Sequence, residues 1–244
     1  MSSFRRIALL LVLGLPALQA VQAQSSSSSS NPPATDQGQQ AAAPTQQNLS
    51  VQARIRARRE QRRAAAIHEV YSHLYEAYAN MGYLRFVPGP SAQRVTMYAW
   101  DTGLTRYYSE RLGVTIDGRG YYGTPYVGLN PSSITKPAIS FYTAMGGPTY
   151  RFYLQPKYSV SGRVLGGYAQ GNFTGDTNGF GTLNGLLYNN GSTFAVSASA
   201  PAEYNLTPNI GLRLAPEYFM TGFGSKMENS LGFAGGLVYR FGKQ

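Results

Sequence analysis

Three features of the sequence predict an all-β fold, an eight-stranded antiparallel up-and-down barrel. An export signal opens the chain, apolar residues alternate with small or polar ones from about Tyr75 on, and short connections alternate with long ones. Ahead of the barrel, at 75–244, the sequence predicts a signal peptide over 1–23, a disordered linker over 24–50 and a short basic, helical segment over 51–74.

The signal peptide is read from Arg5 and Arg6, the apolar run Ile7 to Leu15, the helix-breaking Pro16 and the small-residue end at Val21, Gln22 and Ala23, with cleavage before Gln24. The apolar run falls short of the ~20 residues that a membrane-spanning helix requires. Gln24 to about Ser50 is Ser, Gln, Ala, Pro and Asn, including the run Ser25 to Ser30, and has too little apolar surface to offset the entropy of ordering. The chain has no cysteine, so disulfides, thiolate metal sites and a lipid-modified N-terminal cysteine are excluded.

Charge is unevenly placed. Of 21 basic and 11 acidic residues, 1–68 hold 8 and 2, leaving 13 and 9, so the net +10 divides into +6 before residue 69 and +4 after it. Arg54, Arg58 and Arg62 fall four apart, as do Arg59 and Arg63; with Arg56 between and Ala64 to Ala66 following, they predict a helix from about Val51 to His73. Two readings of this segment stay open: contact with anionic lipid head groups through Arg54, Arg56, Arg58, Arg59, Arg62 and Arg63, or a solvated charged linker. Export and the lack of interleaved aromatics argue against nucleic acid as a partner.

Parity along the strands decides which face meets water. Leu112, Val114, Ile116 and Tyr122 oppose Thr115, Asp117, Arg119 and Tyr121; Tyr158, Val160, Val164 and Tyr168 oppose Ser159, Ser161 and Arg163; Ile210, Leu212, Leu214 and Tyr218 oppose Gly211, Arg213, Ala215 and Glu217. In the final strand Arg240 shares the small-residue face. A soluble barrel would spread many Lys and Glu over its outside. Here the second face is Gly, Ala, Ser and Thr with isolated charges, which suits a narrow lumen in which Asp117 and Glu217 pair with Arg119, Arg163, Arg213 or Arg240. The apolar face, with Tyr and Phe near strand ends, therefore faces lipid, and the barrel is transmembrane.

Short links at Ser109-Glu110-Arg111, Gln155-Pro156-Lys157 and Asn205 to Pro208 alternate with long ones at Val87 to Met97, Gly123 to Lys136, Gln170 to Gly191 and Thr221 to Asn229. They delimit strands at about 76–86, 99–108, 112–122, 138–153, 158–169, 192–202, 209–219 and 230–241, the fourth long enough to predict a bulge at Gly146-Gly147-Pro148. Short periplasmic turns and an even strand count place both chain ends in the periplasm and the protein in the outer membrane.

The segments YANMGYLRF (78–86), ERLGVTIDGRGYYG (110–123), GGPTYRF (146–152), IGLRLAPEYFMT (210–221) and LGFAGGLVYRFG (231–242) resemble successive strands of the outer-membrane β-barrel domain family, the OmpA/OmpX-like small barrels. In that family the last strand resembles the signal read by the barrel-assembly machinery. Leu231, Phe233, Leu237, Tyr239 and Phe241 match its form, with Gly242, Lys243 and Gln244 following the aromatic. The resemblance implies outer-membrane lipids and the assembly machinery as partners, and the Tyr-, Gly- and Asn-rich loops on a rigid scaffold suit contact with an extracellular ligand.

An eight-stranded barrel is only wide enough for its own side chains, so an envelope or surface-interaction role is expected ahead of a porin-like channel. A lipid-modifying enzyme ranks third, because the two histidines, His68 and His73, precede or open the first strand, far from a nucleophile they would have to reach. Gly175 to Gly181 (GDTNGFG) lacks the full oxygen-donor pattern of a calcium loop and reads as a flexible loop tip. Asn189 to Ser192 (NNGS) reads as a hairpin-type turn and Trp100 as an interface anchor. No catalytic residue, cofactor site or metal site is predicted.

Overall fold

The structure, a computed structural model, describes residues 51–243, so the expected signal peptide and linker lie outside the described residues. Helix α1 (Val51–Tyr71) leads into β1 (His73–Phe86), β2 (Val95–Tyr107), β3 (Leu112–Gly123), β4 (Ile139–Leu154) and β5 (Tyr158–Asn172). Then come β6 (Gly191–Ser199), β7 (Ala202–Asn205), β8 (Ile210–Thr221) and β9 (Glu228–Lys243). Neighbours pair antiparallel, and β9 returns to pair with β1 from His73↔Lys243 to Arg85↔Leu231, which closes the sheet into a barrel.

Nine segments make eight staves. β6 and β7 keep one register against β8, with Ser199↔Glu217 and Ala202↔Leu214, and are parted only at Ala200-Pro201. Pro201 has no N–H to give a ladder, but its carbonyl accepts from Ser161 N at 2.9 Å, and Ala200 N donates to the Pro216 carbonyl at 3.2 Å.

Several boundaries differ from those expected, β2 beginning at Val95 instead of about residue 99 and β5 running on to Asn172. The helix stops at Tyr71 instead of His73, with Ser72 N donating to the His68 carbonyl at 2.9 Å, and the barrel begins at His73, ahead of residue 75. The cause is the length of β9, whose last residue still has a partner in His73. The bulge is also displaced. Gly146↔Gly166 and Thr149↔Arg163 share one register, so Pro148 interrupts the ladder to β5 without shifting it; the shift comes between Arg151 and Tyr153. The extra residue is Phe152, which leaves Phe152 and Tyr153 both exposed in succession.

Strand alternation sorts the side chains into two media. Leu112, Val114, Ile116, Leu212, Leu214, Leu231 and Leu237 are exposed on the outer wall, while Thr115, Asp117, Arg119, Arg213 and Arg240 are buried in the lumen. Ile116 is 62 % exposed and its successor Asp117 only 6 %. This inversion of the soluble pattern is what a hydrocarbon surround selects. Aromatics ring the wall at two levels. Toward the long-loop mouth each of the eight staves contributes one: Tyr83, Tyr98, Tyr122, Tyr142, Tyr168, Phe194, Tyr218 and Phe233. Toward the short-turn mouth stand Tyr150, Phe152, Tyr153, Tyr158, Tyr204, Tyr239 and Phe241. Among the described residues no helix is long and apolar enough to cross a membrane.

Candidate functional site

The lumen is filled in layers. Nearest the short-turn mouth, Glu76 on β1 accepts from Arg151 Nη2 at 2.5 Å, from Arg240 Nε at 3.1 Å and from Arg213. Glu203 on β7 accepts from Arg213 Nε at 3.0 Å and Arg240 Nη2 at 2.5 Å. Two carboxylates thus bridge three guanidinium groups, and the excess positive charge faces aromatic rings: the Arg151 carbon lies 3.5 Å from the Tyr107 ring centre and 5.0 Å from that of Tyr71. Tyr71, the last residue of α1, is fully buried in this mouth. Its hydroxyl donates to the Gln155 carbonyl at 3.0 Å and accepts from Asn205 Nδ2 at 2.7 Å.

The next layer holds Asp117, Arg119, Arg163 and Glu217. Arg119 Nε donates to Asp117 at 2.5 Å and its Nη1 to Glu217, which also accepts from Ser197 Oγ at 2.5 Å. Arg163 Nη1 stands 3.8 Å from Asp117 Oδ2, which also accepts from the Tyr78 hydroxyl, while Arg119 holds Oδ1. Asp101 faces Asn80 across the β1–β2 pair, close to this layer. Beside these groups the free volume is about 10 Å³, bordered by Asp101, Arg119, Tyr121 and Glu217. That is barely the space one water requires.

Above the charges the lumen turns apolar. Tyr121, Phe141 and Phe219 stack with centroid distances of 4.4, 5.5 and 6.1 Å, and Phe86, Phe173, Phe223 and Tyr188 pack over them. The long connection 173–190 supplies part of this lid by folding inward: Leu183, Leu187 and Tyr188 are buried, and Tyr188 N donates to the Pro88 carbonyl at 3.0 Å. Asn190 acts through its side chain, accepting from Phe173 N and Thr174 N at 2.7 and 3.0 Å, so the NNGS stretch closes a long loop and is not the tight hairpin expected. Within GDTNGFG, Phe180 N donates to the Thr177 carbonyl at 2.9 Å and Thr177 is fully buried, which makes this stretch a run of turns.

In backbone the chain is similar to the outer membrane protein OprG of Pseudomonas aeruginosa, with a TM-score of 0.50 and 9 % identity, covering 70 % of this chain and 97 % of that one. It is similar also to Neisserial surface protein A, with a TM-score of 0.48 and 15 % identity, covering 68 % of this chain and 97 % of that one. The fold is that of the small outer-membrane β-barrels. No protein-family profile matches the sequence, and no curated protein does.

Within this outer-membrane barrel fold, the six charged residues expected in the lumen fall into both layers. Asp117, Arg119, Arg163 and Glu217 come together, whereas Arg213 and Arg240 pair with Glu76 and Glu203 and not with Asp117 or Glu217. Leu231, Phe233, Leu237, Tyr239 and Phe241 point outward from β9, next to the closing seam. The helix arginines Arg54, Arg56, Arg58, Arg59, Arg62 and Arg63 are all exposed, and Arg63 Nε donates to Gln155 Oε1 at 3.0 Å. His68 Nδ1 meets Glu110 at 2.7 Å, and His73 contacts the Val70 carbonyl and Asn209. The nearby Ser109 hydroxyl is occupied by Arg111 N and Leu112 N. Trp100 is partly exposed on the outer wall of β2. Among the described residues no group of acidic residues and histidines is placed to hold a metal.

Sequence reasoning missed Glu76, Arg151, Glu203 and the Tyr71 stopper. Glu76 and Glu203 share the inward parity of their strands, a signal that was available. Arg151 does too, up to the Phe152 bulge.

The two media can be checked by labelling. With single cysteines at Leu212 and Ala215 in an otherwise cysteine-free chain, the probe at 212 is expected to report hydrocarbon and the one at 215 a shielded interior. Polarity-sensitive labels that report hydrocarbon at both sites, or at neither, would contradict the assignment of faces.

Proposed function

We propose that this protein is an integral outer-membrane barrel with no solute pore, acting without catalysis as an envelope element and a surface-interaction protein through its extracellular loops. Both chain ends are then periplasmic, and its partners are outer-membrane lipids, the barrel-assembly machinery during biogenesis and a ligand met by the loops. The observation that carries this reading is the filled lumen, closed by two charge layers and an aromatic lid. Opening a conduit would strip buried guanidinium and carboxylate groups of their partners, at a cost of several kcal/mol per ion. The loop mouth offers contact surface instead: Tyr126, Leu129, Phe180 and Met227 are exposed, with Leu129 at 92 %, on loops whose neighbouring residues Val127 and Leu183 are anchored in the lid. A lipid-modifying role is disfavoured by the histidines, since both stand at the opposite mouth with their contacts taken by Glu110, Val70 and Asn209.

In planar bilayers the folded protein, verified by its shifted gel migration before boiling, is expected to give no discrete openings. Reproducible unitary conductance would overturn the pore-free reading in favour of a porin-like channel.

A further inference from the structure

Helix α1 presents Arg54, Arg56, Arg58, Arg59, Arg62 and Arg63 against Glu60 and Glu69, all of them exposed. Over residues 51–66 its only large aliphatic residues are Val51 and Ile55, too few to form an apolar stripe that would dock the helix on a protein. Arg54 and Arg58, Arg58 and Arg62, and Arg59 and Arg63 are like charges one turn apart, an arrangement that works against the helix in water. A surface of negative charge would turn that repulsion into binding.

The way α1 is fastened says where such a surface lies. Its C-terminal end is fixed by Tyr71 in the short-turn mouth and by His68 on Glu110. Two turns earlier Arg63 donates to Gln155, whose Nε2 in turn donates to the Tyr153 hydroxyl at 3.2 Å, and the Tyr153 ring stacks on Tyr158 at 5.7 Å. Tyr153 and Tyr158 belong to the aromatic ring on the outer wall at this mouth, and such rings lie at head-group depth. Arg63 is therefore tied to the barrel at the level of lipid phosphates, with the other five arginines further along the same helix.

We propose that α1 is an anionic-lipid arm, its arginines holding the phosphodiester head groups of the leaflet at the short-turn mouth. This rests on the outer-membrane reading above. Guanidinium suits the task because its planar fork gives paired hydrogen bonds to phosphate oxygens and stays charged at every physiological pH. Bidentate contacts would satisfy several donors at once, and the anchored end limits the arm to its own membrane.

The test uses the full chain carrying Ala57→Cys, the chain's only cysteine, with a nitroxide attached, in nanodiscs of phosphatidylcholine alone or with phosphatidylglycerol added. In the anionic discs the label is expected to become immobilised and to lose access to a water-soluble nickel chelate by roughly tenfold or more, reversibly at high salt. In the neutral discs it stays mobile, and free inorganic phosphate has little effect. The variant R54Q/R56Q/R58Q/R59Q/R62Q, which keeps the Arg63 contact, should behave in anionic discs as the parent does in neutral ones. Identical spectra in both discs, with unboiled migration showing a folded barrel, would overturn the arm alone. So would immobilisation by a soluble anionic cell-wall polymer but not by lipid. A chain that folds in neither disc removes the outer-membrane reading, and the arm with it.

Discussion

Glu76→Leu is expected to lower barrel stability by about 3–5 kcal/mol, the cost of leaving a buried charge without its partner. Glu76 is 1 % exposed and meets Arg151, Arg213 and Arg240 from three other staves. Glu203 continues to hold Arg213 and Arg240, but Arg151 keeps only the Glu110 carbonyl at 3.2 Å and two aromatic rings. Removing both partners is less harmful than removing one, because no orphaned charge remains. Glu76→Leu combined with Arg151→Leu should therefore regain a large part of the loss. Urea unfolding in detergent or lipid reads both, and a double variant no more stable than the single one would show that the layer is not held by these pairs.

A comparable loss is expected from a single methyl group at the closing seam. An alanine at Gly236 would place its Cβ 2.1 Å from the Ala79 carbonyl oxygen and 2.5 Å from Asn80 Cα, both backbone atoms that cannot swing aside. Overfilling a packed site costs about 1–3 kcal/mol when side chains can adjust, and here β1 itself must move away from β9. Gly236→Ala should fall at or above the top of that range and yield mostly chain that migrates as unfolded before boiling. Gly166→Ala is the control, since a Cβ there meets nothing within 4 Å, and it should change stability by no more than about 0.5 kcal/mol. Equal behaviour of the two variants would refute the close approach.

Much of the fold was legible because a period of two exposes both faces of every strand. The parity of β3, β5, β8 and β9 and the alternation of connection lengths are local properties, and they suffice to count eight staves. The partners of the lumen charges are not local. Glu76 and Arg240 are 164 residues apart, and which arginine meets which carboxylate depends on the stagger between staves, to which no single strand holds a clue. Glu203 lies just past the expected end of the sixth strand at 202, whereas the stave runs on to Asn205 in the same register. Arg151 precedes a bulge that only the pairing with β5 reveals. Tyr71 is hidden for another reason: helical spacing marks which residues share a turn, but not that the last of them enters a barrel mouth.

The distribution of the lower charge layer has a consequence for biogenesis. Its carboxylates come from the first and sixth staves and its guanidinium groups from the fourth, seventh and eighth, so its ion pairs are all made only once the two ends of the chain have met. An unrolled sheet would carry bare ions into oil. Entry into the bilayer and rolling up of the sheet are thereby made a single concerted event, which half of the chain cannot perform by itself.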